Sequence, residues 1–193
     1  MAREFTHLDP LGRARMVDVT PKDPTHRRAV ARARIHMEPE TASMIASGAI
    51  TKGDVLAVAR VAGIQAAKKT PDLLPLCHPL LVGSVYVNFT IEDSYVEVEA
   101  QVETFDRTGV EMEALTACAV AALTVYDMCK SVDREMTIGE VALWEKTGGA
   151  GGIFRRKSLE ETIDEALDAS NRAVAPAADS LDGLGDDLHD LET

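Results

Sequence analysis

Residues 108–130, TGVEMEALTACAVAALTVYDMCK, decide the fold. Thr108 and Glu111 stand three apart. That is the spacing of a capping box, in which two orphan helix N–H groups are satisfied reciprocally. No proline interrupts the stretch. Between Ala114 and Leu123 it is almost wholly apolar, with Ala114, Ala117, Ala119, Ala121 and Ala122 spread over several faces. A helix apolar nearly all round is buried on more than one side, and small side chains let neighbours come close. Both ends nevertheless carry charge: Glu111 and Glu113 at the start, Asp127 and Lys130 at the finish. The stretch reads as a buried rod holding polar chemistry at two places.

Working outward, residues 84–92 and 95–104 alternate apolar and polar around an Asp93-Ser94 turn, the signature of a hairpin. The second strand points Val96, Val98, Ala100 and Val102 inward and Glu97, Glu99, Gln101 and Glu103 outward. Residues 27–37 alternate as well. Ala29, Ala31, Ala33, Ile35 and Met37 face one way, and Arg28, Arg32, Arg34 and His36 the other, with only Val30 out of pattern. This predicts a half-buried strand with a basic outer face. A short extended segment is expected at 15–20. Helices are expected at 39–47, with Pro39 at N1 and Gly48 beyond the C-terminus, and at 51–69, with Thr51 to Asp54 as its cap. Three prolines make 71–79 an irregular connector. Residues 136–144 predict a last strand, bulged at Gly139. Residues 146–152, KTGGAGG, read as a loop, either a mobile lid carrying Lys146 or a linker. The order of elements gives an α+β fold, the ferredoxin-like β-α-β-β-α-β antiparallel sheet with helices packed on one face.

Charge divides the chain. Residues 158–193 hold 11 acidic groups and one base, Arg172. The other 157 residues hold 21 acids and 19 bases, so −10 of the net −12 belongs to the tail. We therefore expect a domain over 1–157 and an acidic, partly helical or disordered tail over 158–193, with residues 1–14 as an arm. Three cysteines without a CxxC pair suit a reduced cytoplasmic protein. No apolar run is expected to approach the ~20 residues of a membrane span. Aromatics are only 4% of the chain, too few for platforms that stack single-stranded nucleic acid.

The candidate chemistry is basic. Asp127 and Lys130, three apart on one helical face, make either a surface ion pair or an acid/base couple. Lys52 at a helix start opposes the helix dipole unless an anion binds there. His78, in a proline-fixed loop, suits an oriented hydrogen bond. Adjacent Cys77 and His78, with no partner cluster, do not make a metal site. The glycines after Lys146 have the wrong order for a Walker A loop. Glu113 and Asp127 lie ~21 Å apart along a helix axis, so one compact ligand cannot bridge them. Either one end alone is functional, or the ends serve different sites, as when two subunits share each site across a symmetric interface.

Five motifs in register carry a resemblance: Lys52-Gly-Asp54, 62–68 AGIQAAK, 75–79 PLCHP, 108–115 TGVEMEAL and 126–130 YDMCK. Together they closely resemble the molybdenum cofactor biosynthesis protein C family, the cyclic pyranopterin monophosphate synthases, over residues 5–156. The resemblance implies a ferredoxin-like subunit in a homohexamer, a trimer of dimers with sites at dimer interfaces. It implies conversion of (8S)-3′,8-cyclo-7,8-dihydroguanosine 5′-triphosphate to cyclic pyranopterin monophosphate with release of pyrophosphate. No cofactor is required, and Mg²⁺ can ride on the substrate phosphates. Motif by motif, Asp127 falls on the family's catalytic aspartate, and Lys52 and Lys130 on its acid/base lysines. Leu76, Cys77 and His78 fall on one substrate-binding segment and Met112 and Glu113 on another, while Lys68, Lys146, Arg27 and Asp18 match further pocket positions. Arg15 departs from the family, which commonly carries histidine there.

Two other readings compete. One is a non-catalytic ferredoxin-like module that binds a nucleotide as a regulator. The other is an RNA-binding module, favoured only by the arginine alternation at 28–34. The partner expected is a small-molecule cyclic nucleotide triphosphate, with no nucleic acid and no membrane.

Overall fold

Alternation builds the sheet. Strand β1 (Thr25–His36) pairs antiparallel with β3 (Tyr95–Asp106) on one side and with β4 (Thr137–Thr147) on the other. Strand β2 (Ser84–Ile91) adds to β3, and the two-residue β5 (Phe154–Arg155) adds to β4. The result is an α+β fold with a five-stranded antiparallel sheet in the order β2-β3-β1-β4-β5. This computed structural model describes residues 8, 9, 11–158, 161–164, 166 and 167. The chain divides into two compact units, Met1–Arg156 and Lys157–Thr193. The expected arm at 1–14 and the acidic tail fall largely outside the described residues. In the second unit residues 161–164, 166 and 167 are helical. There Ser158 and Glu161 cap reciprocally: the Ser158 N–H donates to Glu161 Oε2 (2.7 Å) and the Glu161 N–H to Ser158 Oγ (3.0 Å).

One face of the sheet is the core. Ala29, Ala31, Ala33, Ile35, Val96, Val98, Ala100 and Val102 are buried. Helix α4 (Glu111–Cys129) packs on this face, and α2 (Val55–Lys68) packs beside it against β2. At Gly63 of α2 the two helices pack tightly. A Cβ there would sit 3.0 Å from the Ala117 carbonyl oxygen and 3.2 Å from Ala121 Cβ. The small residues of α4 thus serve close approach to α2. The buried positions of α4 form a single stripe from Glu113 and Ala114 to Met128 and Cys129, while Leu123 on the other side is 58% exposed. Burial on more than one side is therefore corrected for the single chain. Helix α4 is also long and apolar enough, by length and composition, to cross a membrane, against the expectation of no such run. Its buried stripe lies on the sheet and α2.

The other face carries a charge ladder. Arg28 pairs with Glu145 (2.6 Å), Arg32 with Glu99 (2.7 Å) and Arg34 with Glu97 (3.0 Å) and Glu140 (3.1 Å). The Arg32 guanidinium also lies over Trp144. Each arginine has its carboxylate, so the expected basic face is neutralised, and with it the one feature favouring RNA. Partly exposed ion pairs contribute ~0.2–1 kcal/mol each, against ~1.5–3 kcal/mol for fully burying a large apolar side chain. The core face therefore supplies the stability.

Several boundaries differ from the sequence reading. No strand forms over 15–20. Helix α1 is Pro39–Ala46, with Gly48 at φ +69° beyond it. Helix α2 starts at Val55 because Asp54, not Thr51, is its cap, accepting the Ala57 N–H at 2.9 Å. Pro71 sits in the first turn of a short helix, α3 (Thr70–Leu73), where a missing N–H costs nothing. Of two register shifts between β1 and β4, one falls one residue past Gly139. Arg32 and Arg34 face Ala142 and Gly139, leaving an extra residue on β4, and Glu140 takes φ +56°. The glycine run, expected as a loop, lies between two paired strands. It is the turn of a β4–β5 hairpin, with Gly148, Gly149 and Gly152 at positive φ.

Candidate active site

The two ends of α4 hold two clusters. At the C-terminal end, Asp127 gathers two ammonium groups. Lys130 Nζ lies 2.6 Å from Asp127 Oδ1, one helical turn away. Lys52 Nζ donates to the Asp127 backbone carbonyl at 2.6 Å and lies 3.6 Å from Oδ2. The turn before α2 makes this reach possible. Gly53 adopts φ +107°, a conformation closed to other residues, and directs the chain from Lys52 into the Asp54 cap. The dipole argument for Lys52 therefore changes sign. It does not sit on the N-terminus of α2; it binds the C-terminus of α4, where orphan carbonyls and the negative dipole end favour a cation.

Asp127 is 61% exposed on its side chain, so a ligand can reach it. The Lys130 hydrogen bond and charge, then the Lys52 charge, hold its carboxyl below the ordinary aspartate range. At neutral pH it is a carboxylate paired with two ammonium groups. Just beyond, buried Asp133 accepts the N–H groups of Glu38 (2.9 Å) and Glu135 (3.0 Å), tying the loop after α4 to the start of α1.

At the N-terminal end, Glu113 is 2% exposed. Burial pushes its carboxyl up to about 7, with the neighbouring Glu111 charge adding to the shift and a backbone hydrogen bond opposing it. The Cys77 thiol is raised by burial and then by the Glu113 charge, which places the 75–79 loop beside this end. His78 Nε2 donates to the Val17 carbonyl at 2.7 Å, fixing that tautomer. Asp18, held below its usual range by bonds from Thr20, lies within the field of His78. Arg27 donates through Nε to the Asp106 carbonyl (2.9 Å) and through Nη2 to that of Arg107 (3.1 Å), with no carboxylate partner among the described residues. Lys146 pairs with Glu111 at 3.1 Å. Met112 and Leu76 are about two-fifths exposed. Lys68 stands exposed at the last turn of α2, whose Gly63 faces Ala117 and whose start lies by Asp127. The two helices run antiparallel, so Lys68 is carried toward this same end.

The structure thus separates the candidate residues into Asp127, Lys52 and Lys130 at one end, and Glu113, Cys77, His78, Asp18, Arg27, Lys146, Met112, Leu76 and Lys68 at or toward the other. Among the described residues no group of three or more His, Cys, Asp or Glu side chains could hold a metal ion. Glu111 is the residue that sequence reasoning misplaced. The 108–111 spacing suggested a capping box, yet α4 begins at Glu111 and its N-cap, Val110, makes no side-chain cap bond.

On the outer side of the helices, an apolar groove is lined by Val58, Val61, Ala62, Ala66, Leu73 and Val120. Val61 is 65% exposed and Leu73 59%.

The sequence is similar to known proteins. The model of the MoaC family matches residues 16–149. A cyclic pyranopterin monophosphate synthase of Thermomicrobium roseum is 60% identical over 159 residues, 81% of this chain and 96% of the relative. One from Pelotomaculum thermopropionicum is 59% identical over 158 residues, 81% and 93% of the two chains. One from Peptoclostridium acidaminophilum is 53% identical over 156 residues, 81% and 99%.

Proposed function

The chain belongs to the MoaC family, and from that premise we propose that it is a cyclic pyranopterin monophosphate synthase of molybdenum cofactor biosynthesis. It converts (8S)-3′,8-cyclo-7,8-dihydroguanosine 5′-triphosphate to cyclic pyranopterin monophosphate and releases pyrophosphate. The observation that carries the mechanism is one exposed carboxylate, Asp127, holding two ammonium groups within 2.6 and 3.6 Å. Opening the purine five-membered ring and building the pterin require proton transfers. Lys52 and Lys130 are the groups that make them, and Asp127 sets their positions. Closing the cyclic phosphate joins a sugar oxygen to the α-phosphorus and breaks the α–β anhydride. The departing pyrophosphate takes the electron pair of that bond, and cationic side chains stabilise its charge. Arg27, held by two backbone carbonyls and with no carboxylate partner among the described residues, is suited to that task. Lys68 and Lys146 join it, while His78, Cys77, Leu76, Met112, Glu113 and Asp18 shape the rest of the pocket. The enzyme requires no cofactor of its own, and any Mg²⁺ in the reaction is carried on substrate phosphate oxygens.

The two clusters lie ~21 Å apart along α4, which supports a homo-oligomer in which each site takes one cluster from each of two subunits. A hexamer, as a trimer of dimers, satisfies this. The exposed apolar groove between α2, α3 and α4 is a surface for such a contact. The strand order β2-β3-β1-β4, with α4 between β3 and β4 and α1 and α2 between β1 and β2, supports the ferredoxin-like assignment, with β5 as an added edge. Free Cys77, Cys118 and Cys129 are consistent with a cytoplasmic site of action. The domain is then 1–157, and 158–193 is an acidic appendage without catalytic duty. The test is incubation with the cyclic nucleotide triphosphate while pyrophosphate is followed. Folded, oligomeric protein that releases none would refute the assignment.

A further inference from the structure

We propose that Glu111 is the positioning residue for Lys146, and that Gly109 and Gly151 stay free of side chains so that this pair can form. The proposal rests on the synthase reading for its kinetic consequence but not for its geometry. Glu111 is the first residue of α4, where a carboxylate would ordinarily serve its own helix N–H groups. Instead its Oε1 lies 3.1 Å from Lys146 Nζ on β4, with both side chains about three-quarters covered.

Two glycines wall the pair. A Cβ on Gly109 would overlap Glu111 Oε2, and one on Gly151 would lie 2.9 Å from Lys146 Nζ. Neither glycine has positive φ, unlike Gly148, Gly149 and Gly152. An alanine therefore suits the backbone at both places, and only the charged pair stands in its way. Contacts of this sort, at the far end of a flexible side chain, are relieved by moving that side chain, at little cost to the fold. The sequence forgoes a methyl twice to keep the ammonium and the carboxylate where they are.

A lysine has a long stem with many rotamers, and fixing it before substrate arrives removes an entropic cost from the bound state. Glu111 does this for Lys146 without needing to touch the substrate.

The test uses the full chain with Glu111→Gln, Gly109→Ala and Gly151→Ala, and Gly48→Ala as control. Gly48 lies beyond α1 at φ +69° with nothing near its missing Cβ, so alanine there strains the backbone and leaves the pair alone. The first readout, without substrate, is acylation of Lys146 by an amine-reactive reagent, measured by peptide mass spectrometry. The second is kcat and KM for pyrophosphate release. The three pair variants should acylate Lys146 faster than wild type and lose about 10- to 100-fold in kcat, with KM changed less and melting temperatures close to wild type. Gly48→Ala should melt lower yet label and turn over normally. Wild-type labelling and kcat in both Gly109→Ala and Glu111→Gln would overturn the proposal. Faster labelling of the variants in a protein whose wild type releases no pyrophosphate would uphold the pairing and refute the synthase reading instead.

Discussion

Replacing Glu113 with glutamine should change how stability depends on pH. The carboxyl is 2% exposed, and burial raises it from 4.5 to about 7. Below pH 4.5 both folded and unfolded chains hold the proton. Between 4.5 and about 7 only the folded chain holds it. Above about 7 both are ionised, and the folded state bears a buried charge beside that of Glu111. A raised acid thus lends stability that is whole at low pH and is lost as pH rises through this window. At about 1.4 kcal/mol per pH unit, the gap corresponds to roughly 3 kcal/mol. Glu113→Gln keeps the shape and has no proton to lose. Urea unfolding at intervals from pH 4.5 to 8, followed by circular dichroism, compares the two proteins, and other titrating groups cancel in the difference. The difference between variant and wild type should move by about 3 kcal/mol in favour of glutamine across the window. Parallel pH profiles would refute the reasoning, because they would mean that Glu113 meets the same surroundings folded and unfolded.

Asp127→Asn should slow pyrophosphate release by about 10²- to 10⁴-fold, the usual span for proton-transfer groups. Its melting temperature should barely move, since the carboxylate is largely exposed. Leu123→Glu and Val61→Glu, both on exposed apolar positions of the helical face, should shift the sedimentation coefficient to that of a smaller species and abolish turnover while far-UV circular dichroism stays native. Gly149→Ala should cost about 1–2 kcal/mol in thermal unfolding, because φ is +72° and the new methyl would meet the Arg27 guanidinium.

Regular elements were legible where one face of the chain is buried. The alternation at 27–37 and 84–104 named the strands, since period-two burial leaves a direct trace. The run after Ala114 named α4, although its outward side, with half-buried Val120 and exposed Leu123, awaited the structure. Its start was misread because Glu111 has two partners within reach, and the distant one, Lys146, prevails. Residues 146–152 were legible only as a loop, because glycine composition reports conformational freedom and not what stands nearby: Arg27, Lys146 and the His26 carbonyl fill the space around that turn. The 52–130 cluster was readable as residue types, yet the bond from Lys52 to the end of α4 spans 75 positions and has no local signature.

The charge ladder on the outer face has a consequence for how the strands find one another. A slip of one residue between β1 and β3 would turn the apolar face to solvent. A slip of two would not, and the core face opposes it weakly, because Ala29, Ala31 and Ala33 lie against Val102, Ala100 and Val98, a run of small residues that tolerates exchange. The outer face is less forgiving. Its partners run Arg28 to Glu103, Val30 to Gln101, Arg32 to Glu99 and Arg34 to Glu97. Within these four pairs, the one position on β1 without a cation stands opposite the one position on β3 without an anion. Slipped by two in either direction, valine would meet a glutamate, and glutamine would occupy the place of a charged partner. One uncharged pair among charged ones thus works like a key cut off-centre, and the strands fit in only one alignment.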